Sequence, residues 1–137
     1  MVRLLNPEGL GAFGEESEIR PPFYCDCGYQ TSIGVLGSGL VGCGSGDDRD
    51  DVQIGPNVQL LTVTHPINPR LRRDKWEAAE PIVIMDNVWL GGGVIVCPGV
   101  RIGANTVVGA GAMVVRELPA NVVAVGNPAR VIKTFEG

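Results

Sequence analysis

The side chain best suited to acid–base chemistry is His65, the single histidine among 137 residues. Imidazole titrates near neutral pH, so it can take a proton from a weak nucleophile such as a hydroxyl group. His65 lies in the word Thr64-His65-Pro66, where a repeated apolar pattern gives way to an irregular segment. The residues alone leave two interpretations open: a catalytic base, or a surface histidine that caps a loop.

Cysteine and glycine patterns predict neither a metal site nor a dinucleotide site. Cys25 and Cys27 flank one residue, whereas structural zinc sites use a wider spacing and a second pair of ligands. Residues 37–42 spell G-x-G-x-x-G, which binds a dinucleotide only where it opens a helix. The glycines and acidic residues that follow oppose a helix. We therefore predict no metal and no dinucleotide.

An apolar repeat with a period of six predicts the structural elements that position His65. Neither the helical period of 3.6 nor the strand period of two matches it. A six-residue step predicts short parallel strands, each with one inward aliphatic side chain, on three faces that close one coil. Ile54 lies five such steps before the ladder and shares its register. The ladder consists of Ile84, Leu90, Val96, Ile102, Val108 and Val114.

Composition and charge favour one soluble domain. The chain has 20 glycines and a net charge of −4, which suits an aliphatic interior with small residues at the corners. The chain has no excess of basic residues, which would have indicated binding to nucleic acid. No long apolar run indicates a signal peptide or a membrane helix. We expect a cytoplasmic protein with reduced cysteines that acts on small molecules and has no membrane partner.

The sequence divides into three predicted parts. Residues 1–20 are polar and form an N-terminal arm, and residues 21–125 form the coil. Residues 63–83 interrupt the coil with a loop, and loops of this length are commonly functional or disordered. Its cations, between residues 70 and 75, are most simply solvated. Residues 126–137 form a short basic tail.

A specific resemblance rests on six words in a fixed order. The chain resembles the maltose and galactoside O-acetyltransferases, hexapeptide-repeat enzymes that use acetyl-CoA. The resemblance implies an all-β, left-handed parallel β-helix, a homotrimer, and active sites between neighbouring subunits. The period alone does not give the hand, and the general preference for right-handed crossovers favours the opposite one. The words are IRPPFYCD at 19–26, THP at 64–66, DNVWLG at 86–91, PGV at 98–100, GAG at 109–111 and VGNPAR at 125–130.

The resemblance also implies roles for single residues in acetyl transfer. His65 is the base that takes the proton of the acceptor hydroxyl, and the Gly92 backbone N–H donates to the developing oxyanion. Val115 stands where relatives carry a threonine, so a hydroxyl contact is lost there. A packed outer aromatic at Trp89 and a solvated basic tail remain the alternatives. With Gly92, the implied coenzyme A contacts are Trp89, Ala110, Val115, Arg116, Arg130 and Lys133.

Two carboxylates are implied near the acceptor. Asp26 matches a family position that hydrogen-bonds the sugar, and Glu77 lies on the loop where maltose-type relatives also carry an acid. Carboxylates accept hydrogen bonds from the paired hydroxyls of a sugar, although acids on loops are usually only solvated.

Residues 35–49 depart from the family and define the alternative function. They are glycine-rich where relatives are aromatic and asparagine-rich, and we interpret them as a shifted reading frame that is restored at Asp50. This segment leaves two polar residues of the family's acceptor site without a counterpart. The sequence therefore predicts an acetyl-CoA-dependent O-acetyltransferase acting on a sugar hydroxyl. The alternative is an impaired trimeric β-helix that binds coenzyme A but turns over little.

Overall fold

The computed structural model describes residues 12–13, 18–20, 22–25, 31–33 and 51–137. Short strands dominate, and the one helix in this part of the chain, α1, spans Pro69–Arg73. The strands are β1 Ala12–Phe13, β2 Glu18–Ile19, β3 Phe23–Cys25, β4 Thr31–Ile33, β5 Gln53–Ile54, β6 Val58–Leu60, β7 Val63–Thr64, β8 Ala78–Ala79, β9 Ile82–Ile84, β10 Trp89–Leu90, β11 Ile95–Val96, β12 Arg101–Ile102, β13 Val107–Val108, β14 Met113–Val114, β15 Val122–Val125 and β16 Arg130–Thr134.

Three parallel sheets form the faces of a coil. Face A contains β1, β4, β9 and β12; face B contains β2, β5, β10, β13 and β15; face C contains β3, β6, β11 and β14. Apart from β7 and β8, the strands from β1 to β14 visit A, B and C in turn, so each coil stacks on the one before it. The register repeats every 18 residues, as in Trp89 opposite Val107 and Ile95 opposite Met113. The predicted parallel β-helix is therefore confirmed.

The aliphatic ladder fills the interior of this coil. All six of its members are buried, each with no exposed surface. Because strands of two or three residues supply few inward positions, each coil depends on its neighbours to exclude water from these side chains. The period of six thus correctly identifies the core.

Boundaries differ from the sequence prediction in three places. The strands β1 and β2 pair with face A and face B, so the coil begins before residue 21. The basic tail contains β16, which pairs antiparallel with β15 at the end of face B. Face A resumes with β9 at Ile82, so the loop ends one residue before it. The predictions for residues 35–49 lie outside the described residues.

Asparagines mark the corner between faces A and B. Asn87, Asn105 and Asn121 have φ values of 52°, 59° and 58°, in the left-handed region that asparagine tolerates better than most residues. The Asn87 side-chain amide donates to Asn105 Oδ1 at 2.9 Å, and the Asn105 amide donates to Asn121 Oδ1 at 2.8 Å. One stacked ladder therefore ties three coils together.

Substituting the middle asparagine tests this corner. We expect Asn105→Ala to lower the free energy of unfolding by about 2 kcal/mol, because left-handed backbone and lost hydrogen bonds cost about 1 kcal/mol each. Asn105→Gly is the matched control, since glycine keeps the backbone without strain, and it should lose about half as much. Urea titration at one protein concentration measures both. Equal stability of the alanine variant and the parent would contradict the interpretation.

Candidate functional site

The segment between face C and face A forms a hairpin that presents His65. Its stem is β7 paired antiparallel with β8, with Thr64 opposite Ala78. This register places His65 opposite Glu77, one residue beyond the paired stem. The hairpin therefore brings together the predicted base and one predicted acceptor carboxylate, although α1 lies between them along the chain.

Two contacts define the state of the His65 ring. Nδ1 lies 3.3 Å from the backbone carbonyl oxygen of Trp76. A carbonyl oxygen only accepts, so Nδ1 donates, and in the neutral ring the lone pair is then on Nε2. Nε2 lies 3.8 Å from Glu77 Oε1, and the side chains of His65 and Glu77 are 50% and 61% exposed. The half-exposed ring thus places Nε2 beside a carboxylate.

The side chain of Arg72 holds the backbone segment that follows His65. Its Nη1 donates to the carbonyls of Pro66, at 3.2 Å, and Ile67, at 2.9 Å. Asn68 caps α1, since its Oδ1 accepts from the backbone N–H of Arg70 at 2.9 Å. The sequence predicts solvated cations in this loop; Arg72 is exposed, but it also holds the loop through these two hydrogen bonds. Asn68 followed by Pro69 at the start of a helix was the signal that sequence reasoning missed.

A second group of predicted residues lies at the corner between faces B and C. Trp89, on β10, is 52% exposed. Gly92 and Ala110 stack on successive coils, since the Gly111 N–H donates to the Gly92 carbonyl at 2.9 Å. Trp89 and Gly92 line an open groove of about 320 Å³ with Arg20, Gln53, Ile54, Gly55 and Pro56. Such a groove suits a long, thin ligand that runs along the stack of coils.

The backbone N–H of Gly92 is available at this corner. Among the described residues, the neighbouring Gly93 and Gly111 N–H groups donate to backbone carbonyls. No backbone carbonyl of these residues accepts a hydrogen bond from the Gly92 N–H. Pro56 holds the equivalent position one coil earlier, two residues beyond Ile54, which pairs with Leu90. Because proline has no N–H, the corner does not need this hydrogen bond for its structure.

The remaining predicted residues fall at separate places. Val115 and Arg116 are exposed and follow β14, at the corner between faces C and A from which the hairpin also leaves. Arg130 and Lys133 lie on the exposed strand β16, opposite Val125 and Val123. Asp26 lies outside the described residues.

The structure also describes other groups that could carry chemistry. There, no three side chains among histidine, cysteine, aspartate and glutamate converge as a metal site. Burial raises the pKa of the Cys97 thiol, which keeps it neutral rather than nucleophilic. No helix among these residues is long and apolar enough to cross a membrane.

Comparison with known proteins identifies the family. The family described as "Bacterial transferase hexapeptide (six repeats)" matches residues 81–116. The galactoside O-acetyltransferase of Lactococcus lactis is 44% identical over 126 residues, which cover 86% of this chain and 60% of the relative. The crystal structure of a maltose O-acetyltransferase from Clostridium difficile 630 has a TM-score of 0.69 and 34% identity, and covers 95% of this chain and 72% of that chain. The chain belongs to the maltose and galactoside O-acetyltransferase family.

Membership of this family determines the hand of the coil. One solved relative also contains a bound ligand. A galactoside acetyltransferase in complex with coenzyme A matches with a TM-score of 0.69 and 35% identity, over 95% of this chain and 68% of that chain. The fold is the left-handed parallel β-helix of this family, as the resemblance predicted. The chain spans 60% to 67% of the length of four curated relatives.

Proposed function

We propose that the chain is an acetyl-CoA-dependent O-acetyltransferase that uses His65 as general base toward a sugar hydroxyl. The observation that carries the proposal is the contact between His65 Nδ1 and the Trp76 carbonyl, which in the neutral ring leaves the lone pair on Nε2 to take a proton. A carboxylate 3.8 Å from Nε2 stabilises the imidazolium that forms. Relatives named as maltose and galactoside O-acetyltransferases support the reaction class.

The proposed reaction balances with these groups alone. His65 Nε2 takes the proton of the acceptor hydroxyl while the oxygen attacks the acetyl carbonyl carbon. A carbon–oxygen bond forms, and the carbonyl oxygen becomes an oxyanion that accepts from the Gly92 N–H. When the oxyanion collapses, the carbon–sulfur bond breaks and the coenzyme A thiolate takes the proton from Nε2. The products are an O-acetyl sugar and free coenzyme A.

We further propose that two subunits of a homotrimer share each site. His65 leaves the coil at the corner between C and A, whereas Gly92 lies at the corner between B and C. These are different edges of one three-sided coil, so two copies bring them together more readily than one.

Coenzyme A is proposed to run along the corner between faces B and C. Gly92 and Ala110 offer a smooth track for the pantetheine arm, with Trp89 beside it. Arg130 and Lys133 supply positive charge for the phosphates at the β16 end. Val115 and Arg116 reach the same ligand from the other corner, of the neighbouring subunit. Asp26 and Glu77 are proposed to accept hydrogen bonds from acceptor hydroxyls.

An acceptor screen tests the proposed function. Purified protein is incubated with acetyl-CoA and with maltose, a β-galactoside or no acceptor, and thiol release is followed. We expect release that depends on the sugar, an O-acetyl sugar by mass spectrometry, and a trimer by light scattering. Release that is the same with and without every acceptor would contradict the proposal and favour an impaired β-helix.

Substituting Arg72 tests how the base is held. We expect Arg72→Met to lower kcat about tenfold, because the backbone beyond His65 loses its two hydrogen bonds and the base is misplaced. KM for acetyl-CoA should not change, and neither should the melting temperature, since α1 buries no residue. Arg73→Met, on the same exposed helix, is the matched control and should keep the parent kcat. A loss of kcat in both variants alike would indicate a general charge effect instead.

A further inference from the structure

Trp76 holds a large aromatic ring in solvent on a fixed backbone. The residue is 62% exposed. Its N–H donates to the Leu71 carbonyl at 3.1 Å, and its own carbonyl accepts from His65 Nδ1. Single exposed apolar side chains are common on surfaces and need no explanation. This one differs because hydrogen bonds on both sides of its peptide backbone hold it next to the base.

Three groups of different chemistry lie on neighbouring residues of the hairpin. His65 contributes Nε2, Glu77 contributes a carboxylate 3.8 Å from it, and Trp76, the residue before Glu77, carries an exposed indole. A pyranose ring carries hydroxyls on its rim and a patch of C–H groups on its face. Carboxylates accept from the hydroxyls, and an indole covers the C–H patch. An open-chain polyol offers the hydroxyls but no such face.

We propose that Trp76 is a specificity-determining residue that stacks on the ring of a pyranoside acceptor. The inference rests on the proposed acetyl transfer through His65 and narrows its acceptor to pyranose sugars over open-chain polyols. The indole supplies affinity for the ring, Glu77 orients the rim hydroxyls, and His65 takes the proton of the hydroxyl that reacts. Trp76 therefore contributes to acceptor binding, whereas His65 contributes to the chemical step.

Two acceptors and three variants test the role of the ring. With methyl β-galactoside, Trp76→Ala should raise the acceptor KM about tenfold, because stacking of an aromatic face contributes roughly this factor. The kcat and the KM for acetyl-CoA should stay within about twofold of the parent. With glycerol, kcat/KM should be the same in Trp76→Ala and the parent. Trp76→Phe keeps a ring and should keep the galactoside KM within about threefold.

Ile67→Ala is the matched control. Ile67 lies on the same hairpin and is 94% exposed, and the substitution keeps its backbone carbonyl. It should leave every constant unchanged. Light scattering of each variant shows whether the trimer is intact.

Each remaining outcome overturns the inference. An unchanged galactoside KM in Trp76→Ala, with a parent that is active and loses activity in His65→Ala, defeats the stacking role and leaves the proposed function standing. Equal losses with galactoside and glycerol, together with a smaller assembly, assign the indole to subunit contact instead. A parent that acetylates no acceptor defeats both this inference and the proposed function.

Discussion

Replacing His65 by alanine is expected to lower kcat for acetyl transfer about a thousandfold, the usual contribution of a well-placed general base. The Nδ1 contact to the Trp76 carbonyl holds the ring with Nε2 beside Glu77. Without the imidazole, no group at this position takes the hydroxyl proton as the oxygen attacks. The KM for acetyl-CoA should change little, because coenzyme A binding is assigned to other residues. Initial rates of sugar-dependent thiol release measure both constants.

Two controls separate loss of the base from loss of structure. His65 is half exposed and its described contacts stay within the hairpin, so the melting temperature of His65→Ala should match the parent. Added imidazole should restore part of the lost rate in His65→Ala and leave the parent unaffected. A His65→Ala protein with at least a third of the parent kcat, or with no response to imidazole, would argue against proton transfer through this side chain.

Gly103→Ala is expected to lower the free energy of unfolding by about 3 kcal/mol, at the upper end of the usual cost of overpacking. A Cβ at Gly103 would lie 2.4 Å from the backbone nitrogen of Ala120 and 2.6 Å from the carbonyl carbon of Pro119. These are backbone atoms of the next coil. Moving them strains the hydrogen bond from the Gly103 N–H to the Leu118 carbonyl, 2.9 Å long. Urea titration measures the loss.

Gly111→Ala provides the comparison that isolates this close approach. A Cβ at Gly111 meets no atom within 4 Å, so only its positive φ of 73° disfavours alanine. That backbone conformation costs about 1 kcal/mol. Gly103→Ala should therefore be clearly the less stable of the two variants. The reverse order would mean that backbone conformation, rather than spacing between coils, selects glycine in this protein.

The fold was predictable because its cause is local and repeated. One inward aliphatic per six residues is the requirement of a narrow coil, and the buried ladder meets it. The sequence shows that glycines follow several members of the ladder, but it does not show why glycine is required at those positions. At Gly91 and Gly103 an added Cβ would meet the backbone of the next coil at 2.6 Å and 2.4 Å. Strand β16 was missed because antiparallel pairing at the end of a sheet leaves no trace in the period.

The site was predictable only in part, since it depends on contacts that no spacing encodes. The resemblance named His65 and Glu77, and the hairpin register explains why they meet. The partner of Nδ1 is a backbone carbonyl, at Trp76, for which side-chain identity carries no signal. The role of Arg72 depends on how the loop folds back on itself. Such contacts with backbone carbonyls can be seen only in the three-dimensional structure.

The predicted site residues are distributed over two corners of the coil. His65, Val115 and Arg116 belong to the corner between faces C and A, whereas Gly92 and Ala110 belong to the corner between B and C. In a closed trimer each interface joins unlike surfaces of neighbouring subunits. We therefore propose that one subunit supplies the base and the next supplies the oxyanion donor and the coenzyme track.

Mixed trimers test this claim most directly. His65→Ala keeps the oxyanion donor, while Gly92→Pro removes that N–H at a corner where Pro56 already holds the equivalent position. Each variant alone should be inactive, and equal amounts co-assembled should regain about a quarter of the parent rate, because a quarter of the shared sites are then intact. Co-assembled activity no greater than that of the two variants kept apart would contradict an active site shared between subunits.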